Sequence, residues 1–163
     1  MEAPDKAPDK APDKAPDKGW VVIDLDGTLC NCDHRVHLAQ AGKWDEFHAA
    51  CHKDKPFQDV LALVQLLADT FSVLIVTGRD ATVRPATMQW LQEHDVLADE
   101  ILMRPPFDFC PDIELKIKLL EEFFGSKEQV LSSVLFCLDD RDKVVQGLRD
   151  YGLTVLQARQ GDY

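Results

Sequence analysis

No stretch of apolar residues in this chain approaches the roughly 20 that a bilayer-spanning helix needs, so a membrane span is excluded. The N-terminus is polar and repetitive and carries no apolar segment, which argues against a secretory leader. Basic residues are scarce: 18 Lys and Arg stand against 29 Asp and Glu, a net charge of −11. Broad, sequence-blind binding along a nucleic-acid backbone needs a basic surface and is disfavoured, although a small basic pocket is not. The five cysteines (Cys30, Cys32, Cys51, Cys110 and Cys137) are odd in number and have no secretory context. They read as reduced thiols, and the expected location is cytoplasmic. A length of 163 residues with 45% hydrophobic content suits one domain with a full core and leaves no room for two.

Residues 3–18 are four copies of Ala-Pro-Asp-Lys. A proline every fourth residue blocks a helix, and the repeat has no bulky apolar side chain to bury. Residues 1–18 are therefore expected to be a disordered tail and residues 19–163 the folded domain. The tail sums to −1, so the folded part carries −10.

Within the folded part, five short apolar runs recur: Trp20–Leu25, Phe71–Val76, Glu100–Met103, Val134–Leu138 and Leu153–Leu156. They lack polar alternation, as strands buried on both faces do. Helical patterns lie between them, at Phe57–Asp69, Ala81–His94, Ile113–Phe124 (with Asp112 as its expected N-cap) and Asp142–Tyr151. The alternation predicts an α/β three-layer sandwich, a Rossmann-like parallel sheet with helices on both faces. The stretch Cys30–Pro56 breaks the pattern. It has no strong strand and is rich in His, Cys and Trp, as an insertion that carries function can be.

Ligands of such sheets bind beyond the carboxyl ends of the strands. The first run ends in Asp24-Leu25-Asp26-Gly27-Thr28, with two carboxylates on the same side of extended backbone. Acids that close repel unless a cation or a shared proton compensates. The second run ends in Thr77-Gly78-Arg79, a hydroxyl, a flexible turn and a cation suited to phosphate oxygens. The fourth ends in Asp139-Asp140-Arg141-Asp142. Oxygen-only ligands fit Mg²⁺ better than zinc or copper. Each motif alone is commonplace, as a turn or a helix start; three of them in this order at strand ends are hard to explain by capping.

These residues resemble the haloacid dehalogenase (HAD) superfamily of phosphohydrolases. Asp24-Leu25-Asp26-Gly27-Thr28-Leu29 matches its first motif, Thr77-Gly78-Arg79 its second and Asp139-Asp140 its fourth. For the third-motif lysine, Lys116 and Lys118 compete, and Lys116 has the better spacing. Met103-Arg104-Pro105, the run from Leu138 to Val145, Val155-Leu156-Gln157-Ala158 and Gly161-Asp162-Tyr163 are similar to the 3′-phosphatase domain of phage polynucleotide kinase-phosphatase, a group without a large cap domain. The chain has no Gly-x-x-x-x-Gly-Lys-Ser/Thr loop, so no kinase activity is expected of it.

The resemblance implies Asp24 as nucleophile and Asp26 as general acid and base. It implies Mg²⁺ held by Asp24, the Asp26 carbonyl and Asp139 or Asp140, with Thr77 and Lys116 on the phosphate oxygens. Thr28, Gly78, Arg79, Arg104 and Arg141 are further candidates for contacting the substrate. In the insertion, His34 and Arg35 are expected at the pocket mouth, where they would help to bind the leaving group. Cys30, Cys32, His34, His37, His48, Cys51 and His52 can be drawn as a zinc site, but their spacing matches no standard finger. Trp44, Phe47 and Ala50 read as the packed face of a helix.

The implied activity is a phosphomonoester hydrolase, with a nucleic-acid or nucleotide 3′-phosphate as substrate. A 5′-nucleotidase, or another phosphatase of small nucleotides, uses the same residues and suffers less from the acidic charge. A phosphoacceptor signalling domain would put the acid pair first and the phosphorylated Asp later, the reverse of the order here.

Overall fold

The computed structural model describes residues 18–161. The repeat tail, apart from Lys18, and the final Asp162-Tyr163 lie outside the described residues. The five expected strands form one parallel sheet from β1 (Trp20–Ile23), β4 (Ser72–Asp80), β5 (Glu100–Arg104), β6 (Val134–Leu138) and β7 (Val155–Leu156), in the order β5-β4-β1-β6-β7. The insertion supplies two further strands of two residues each, β2 (Cys30–Asn31) and β3 (Lys55–Pro56), which pair antiparallel.

Side chains alternate across the sheet and divide the core in two. Val21, Ile23, Val73 and Ile75 face α3 (Gln58–Ala68) and α4 (Arg84–Glu93) through Val60, Val64, Trp90 and Leu91. Trp20, Val22, Leu74 and Val76 face α5 (Asp112–Phe124), α6 (Lys127–Ser133) and α7 (Asp142–Tyr151) through Leu115, Leu120, Val130, Val144 and Leu148. Because both faces are covered, every core strand must be apolar at each position, which explains the missing alternation. The expected three-layer α/β fold is the one observed.

The chain winds outward from β1 to β4 and β5, then crosses to β6 and β7 on the other side. The direction reverses beside β1, and the carboxyl ends of β1, β4 and β6 open on that point, where such sheets place their ligands. Several sequence expectations shift. β4 continues through Thr77-Gly78-Arg79 to Asp80 rather than turning there, and α4 begins at Arg84 after a 3₁₀ turn over Ala81–Val83. The last strand begins at Val155 rather than Leu153, and Asp112 is the first helical residue of α5, with Pro111 at the cap position. The helix α6 was not expected; Ser126 caps it by accepting from the Gln129 amide.

Cys30–Pro56 folds as a small cap of α1 (Asp33–Gln40), α2 (Trp44–Ala49) and a 3₁₀ turn over Ala50–Lys53, closed at its base by β2 and β3. The Phe57 amide donates to the Leu29 carbonyl, and the Trp90 indole donates to the Asp54 carbonyl, so the cap is tied to the body at both ends. Phe47 is buried, but Trp44 is 56% exposed, so the expectation of a common packed face holds only for the former. Among the described residues no helix is long and apolar enough to cross a membrane.

Candidate active site

β1 ends in a turn that the sequence encodes locally. Gly27 takes a φ of 85°, a conformation open to glycine at little cost. The amides of Thr28, Leu29 and Cys30 then all point at the Leu25 carbonyl. This folds Asp24 and Asp26 away from each other into two separate carboxylate clusters.

The first cluster joins Asp24 to Asp139 and Asp140 at the end of β6. One oxygen from each lies within 4.8 Å of the others, and all three side chains are buried. Lys116, one turn into α5, reaches them through its Nζ, 2.8 Å from Asp24 Oδ1 and 2.5 Å from Asp139 Oδ2. Lys118 instead lies on the exposed face, 3.5 Å from Asp108. Of the two lysines, Lys116 is therefore the one beside the Asp24 cluster. The buried Thr28 hydroxyl lies 3.3 Å from Asp24 Oδ2 and 3.2 Å from Asp140 Oδ1. Opposite, Gly161 is so close that a Cβ would fall 2.0 Å from Asp140 Oδ2.

The charges here do not balance. Three carboxylates share one ammonium, which leaves two negative charges. Burial raises the Asp24 carboxyl well above its usual range against the pull of Lys116, and Asp139 and Asp140 add to the rise. Burial and then Asp139 push Asp140 up to about 6. Burial alone would lower Lys116, but Asp139 and Asp24 outweigh it and hold the ammonium charged. An oxygen-only, doubly negative, buried set fits a small divalent cation.

The second cluster joins Asp26 to Asp54 from the cap. Arg79 donates to Asp26 Oδ1 through Nε (2.9 Å) and Nη2 (2.6 Å), and to Asp54 Oδ2 at 2.7 Å. Arg35 donates to Asp26 Oδ1 at 2.7 Å and to both oxygens of Asp54, at 2.8 and 2.6 Å. His34 Nε2 lies 2.8 Å from Asp54 Oδ1. Burial would raise Asp26, but Arg79 and Arg35 outweigh it and draw the carboxyl down to about 2. Cys30 also approaches Asp26 and Asp54. Burial pushes its thiol far up, however, and two guanidiniums already cancel the two acids. This set has no charge left for a metal ion.

Arg35, expected at the pocket mouth, is instead fully buried and donates to Asp26 and Asp54; Arg79, a candidate substrate contact, is likewise buried and donates to the same two carboxylates. They hold Asp26 and bind the cap to the sheet. His34 lies at the edge of the same cluster. Asp54 was missed; between Lys53 and Lys55 it reads as part of a solvated charge run, and only the tertiary fold reveals its partners. Among the described residues, the two metal-capable groups contain no histidine and a single cysteine, so the zinc arrangement is not assembled.

The remaining candidates ring the first cluster. Thr77 is buried, and its Oγ accepts from the Arg79 amide at 3.2 Å. A Cβ on Gly78 would fall 3.0 Å from Asp112 Oδ1, so glycine lets β4 approach α5 closely. Arg104 and Arg141 converge on opposite oxygens of Asp112. Arg104 also donates to the Gly78 carbonyl at 3.2 Å, and the Arg141 amide donates to Asp139 Oδ1 at 3.1 Å.

Residues 18–163 match the family described as polynucleotide kinase PNKP phosphatase domain. A protein of Autographa californica nuclear polyhedrosis virus, assigned as a bifunctional polynucleotide kinase/RNA ligase, is 30% identical over 125 residues, which is 75% of this chain and 17% of that protein. A chain of the Pnkp1/Rnl/Hen1 RNA repair complex superposes with a TM-score of 0.75 at 24% identity, over 98% of this chain and 48% of its own length. A haloacid dehalogenase-like hydrolase of Streptococcus pneumoniae gives 0.59 at 15% identity, over 85% of this chain and 83% of its own length. The last two likenesses are of fold. Since the family match takes in the sheet, the cap and both carboxylate clusters together, the chain belongs to the PNKP phosphatase-domain family, and it is a HAD-type phosphatase.

Proposed function

We propose that residues 19–163 remove 3′-phosphates from nucleic-acid ends in a Mg²⁺-dependent reaction through an aspartyl-phosphate. The observation that carries this reading is the buried set of Asp24, Asp139 and Asp140 under a single Lys116, in a chain whose family is that of polynucleotide kinase phosphatase domains.

Asp24, Asp139 and Asp140, with the Asp26 carbonyl, are the residues that would hold Mg²⁺. When bound, the ion supplies charge neutralisation between a carboxylate nucleophile and a phosphate dianion. An Asp24 oxygen attacks phosphorus, and the bond to the ribose 3′-oxygen breaks as Asp26 gives that oxygen a proton. Water then loses a proton to Asp26 and attacks the same phosphorus, which releases phosphate and restores Asp24. Lys116 and Thr77 grip the phosphate oxygens and neutralise the charge that grows on them. The two arginines keep Asp26 ionised in the free protein. A phosphate dianion beside it raises its pKa, so substrate binding itself primes the carboxyl to carry the proton.

The experiment is phosphate release with Mg²⁺ from a 3′-phosphorylated oligonucleotide, with 3′- and 5′-mononucleotides alongside. Wild type is expected to act on the oligonucleotide, and Asp24→Asn is expected to lose at least about a thousandfold in kcat. Undiminished activity in the variant would remove the covalent route. The charge of −10 on residues 19–163 favours a second reading, a phosphatase of small nucleotides. Release from mononucleotides alone would establish it. A steep fall with salt on oligonucleotides only would speak for the first reading.

A further inference from the structure

After β7 the chain turns back over the carboxyl end of β6 and touches it twice. Gln157 Nε2 donates to the Asp140 carbonyl at 2.8 Å and to Asp142 Oδ1 at 2.7 Å. Four residues later the Gly161 amide donates to the same Asp140 carbonyl at 2.7 Å, and the Asp142 amide donates to the Gly161 carbonyl at 3.1 Å. Gln160 Nε2 adds a bond to Asp142 Oδ2 at 3.0 Å. The backbone of Asp140 is thus held by both ends of the segment 157–161. Its carboxylate is held as well. The Thr28 hydroxyl lies against Oδ1, and Gly161 packs against Oδ2 with no space for a Cβ.

Between these two contacts the segment reaches a different part of the fold. Arg159 lies over the Phe57 ring, its Cζ 3.8 Å from the centroid, and donates to both oxygens of Asp59, at 2.8 and 2.7 Å. Phe57 links β3 to α3, and its amide donates to the Leu29 carbonyl, in the turn that follows Asp24 and Asp26. Residues 157–161 therefore bridge the end of β6 and the base of the cap.

The cluster itself shows what such a bridge is for. Lys116 pairs with Asp24 and Asp139, whereas Asp140 is braced by Thr28 and by this segment. Carboxylates that crowd one ammonium repel each other, and a ligand free to swing away must be brought back before it can hold a cation. Groups that bond to a metal ligand from outside hold it in place beforehand. Stability alone does not account for the contact with Asp59, since that carboxylate is exposed and such pairs contribute little.

We propose that residues 157–161 form a strap that sets the Mg²⁺ affinity of the site by fixing Asp140, with Gly161 as its point of contact and Arg159 as its latch. Arg159 is a positioning residue, acting through Gly161. The inference rests on the Mg²⁺ reading above and adds residues outside the carboxylate cluster that tune it.

The test is calorimetric titration of Mg²⁺ into the metal-free full chain, with a urea unfolding midpoint for each variant. Gly161 does not have a positive φ, and its Cβ would meet the far end of a flexible side chain, so Gly161→Ala should fold and displace the Asp140 carboxylate. Gly161→Ala and Arg159→Ala should each weaken Mg²⁺ binding roughly 10- to 100-fold. Asp59→Ala opens the same latch, so the Arg159→Ala/Asp59→Ala pair should lose no more than the worse single variant. Arg159→Lys keeps the charge without the two-pronged contact and should fall between wild type and Arg159→Ala. The control is Val130→Ala, a core truncation in α6, which leads into the start of β6 at the opposite end of the sheet. It should lower the urea midpoint and keep wild-type Mg²⁺ affinity. Wild-type affinity in folded Gly161→Ala and Arg159→Ala would overturn the strap and leave the Mg²⁺ reading intact. A loss in Val130→Ala as large as that in Arg159→Ala would overturn it too, by tracing the effect to general stability. Absence of Mg²⁺ binding in wild type would remove the metal assignment, and the strap with it.

Discussion

Two clusters of buried carboxylates lie at the same edge of the sheet, and they are neutralised differently. Asp26 and Asp54 meet two guanidiniums and reach charge balance. Asp24, Asp139 and Asp140 meet one ammonium and do not. All are aspartates, yet the partly buried Asp26 is drawn down to about 2 and the buried Asp140 is pushed up to about 6. The number of buried cations sets the difference. The balanced cluster joins the cap to the sheet while holding the proposed general acid, Asp26; the unbalanced one has the charge to take up a divalent cation. Asp24 and Asp26, two residues apart, give each cluster one acid, so both are built from the same turn.

The largest effect should come from breaking the balanced joint. Arg79→Ala leaves the buried Asp54 and the partly buried Asp26 with half their positive charge. Removing one partner of such a set costs about 3–5 kcal/mol. The urea midpoint should fall accordingly, and Arg35→Ala should behave alike. A loss below about 1 kcal/mol would show that these arginines are dispensable to the joint.

The unbalanced cluster should respond in the opposite direction. The Asp140 carboxyl moves from 3.8 to about 6 on folding, a cost on the order of 3 kcal/mol when it is ionised. An acid raised by folding loses stability as pH rises from about 4 through 6. Metal-free Asp140→Asn should therefore melt several degrees higher than metal-free wild type at pH 7, and the gap should close at pH 4. A lower melting temperature for the variant would contradict the charge imbalance.

Asp26 gives the mirror image. Its pKa is lowered from 3.8 to about 2, so its contribution is complete above pH 4 and is lost as pH falls through 2. It amounts to roughly 2 kcal/mol. Acid unfolding of wild type should steepen in that window, and Asp26→Asn should flatten it. Smallest of all, Lys118→Ala removes an exposed pair with Asp108 and should shift stability by less than about 0.5 kcal/mol, whereas Lys116→Ala should abolish phosphate release.

Much of this was legible in the sequence because it depends on short-range pattern. Continuous apolar runs marked the sheet, and the residues ending each run marked its ligand edge. Spacing favoured Lys116 over Lys118, and in the fold Lys116 meets Asp24 and Asp139 whereas Lys118 is exposed. What depends on distant partners was not legible. Asp54 sits 28 residues after Asp26, inside a charge run, and nothing local says that it is buried. Arg35 and Arg79 both donate to Asp54, a pairing that nothing near either arginine in the sequence announces. Asp112 was expected to cap a helix, and it holds Arg104 and Arg141 instead.

The most direct measurement is the melting temperature of wild type, Asp140→Asn and Asp54→Asn as Mg²⁺ is titrated into metal-free protein. Binding to the folded state alone raises stability with the logarithm of metal concentration. Wild type and Asp54→Asn should climb with Mg²⁺, the latter from a lower start, and Asp140→Asn should stay flat. A flat wild type, or an Asp140→Asn variant that climbs in parallel with it, would contradict the assignment of the metal to the unbalanced cluster.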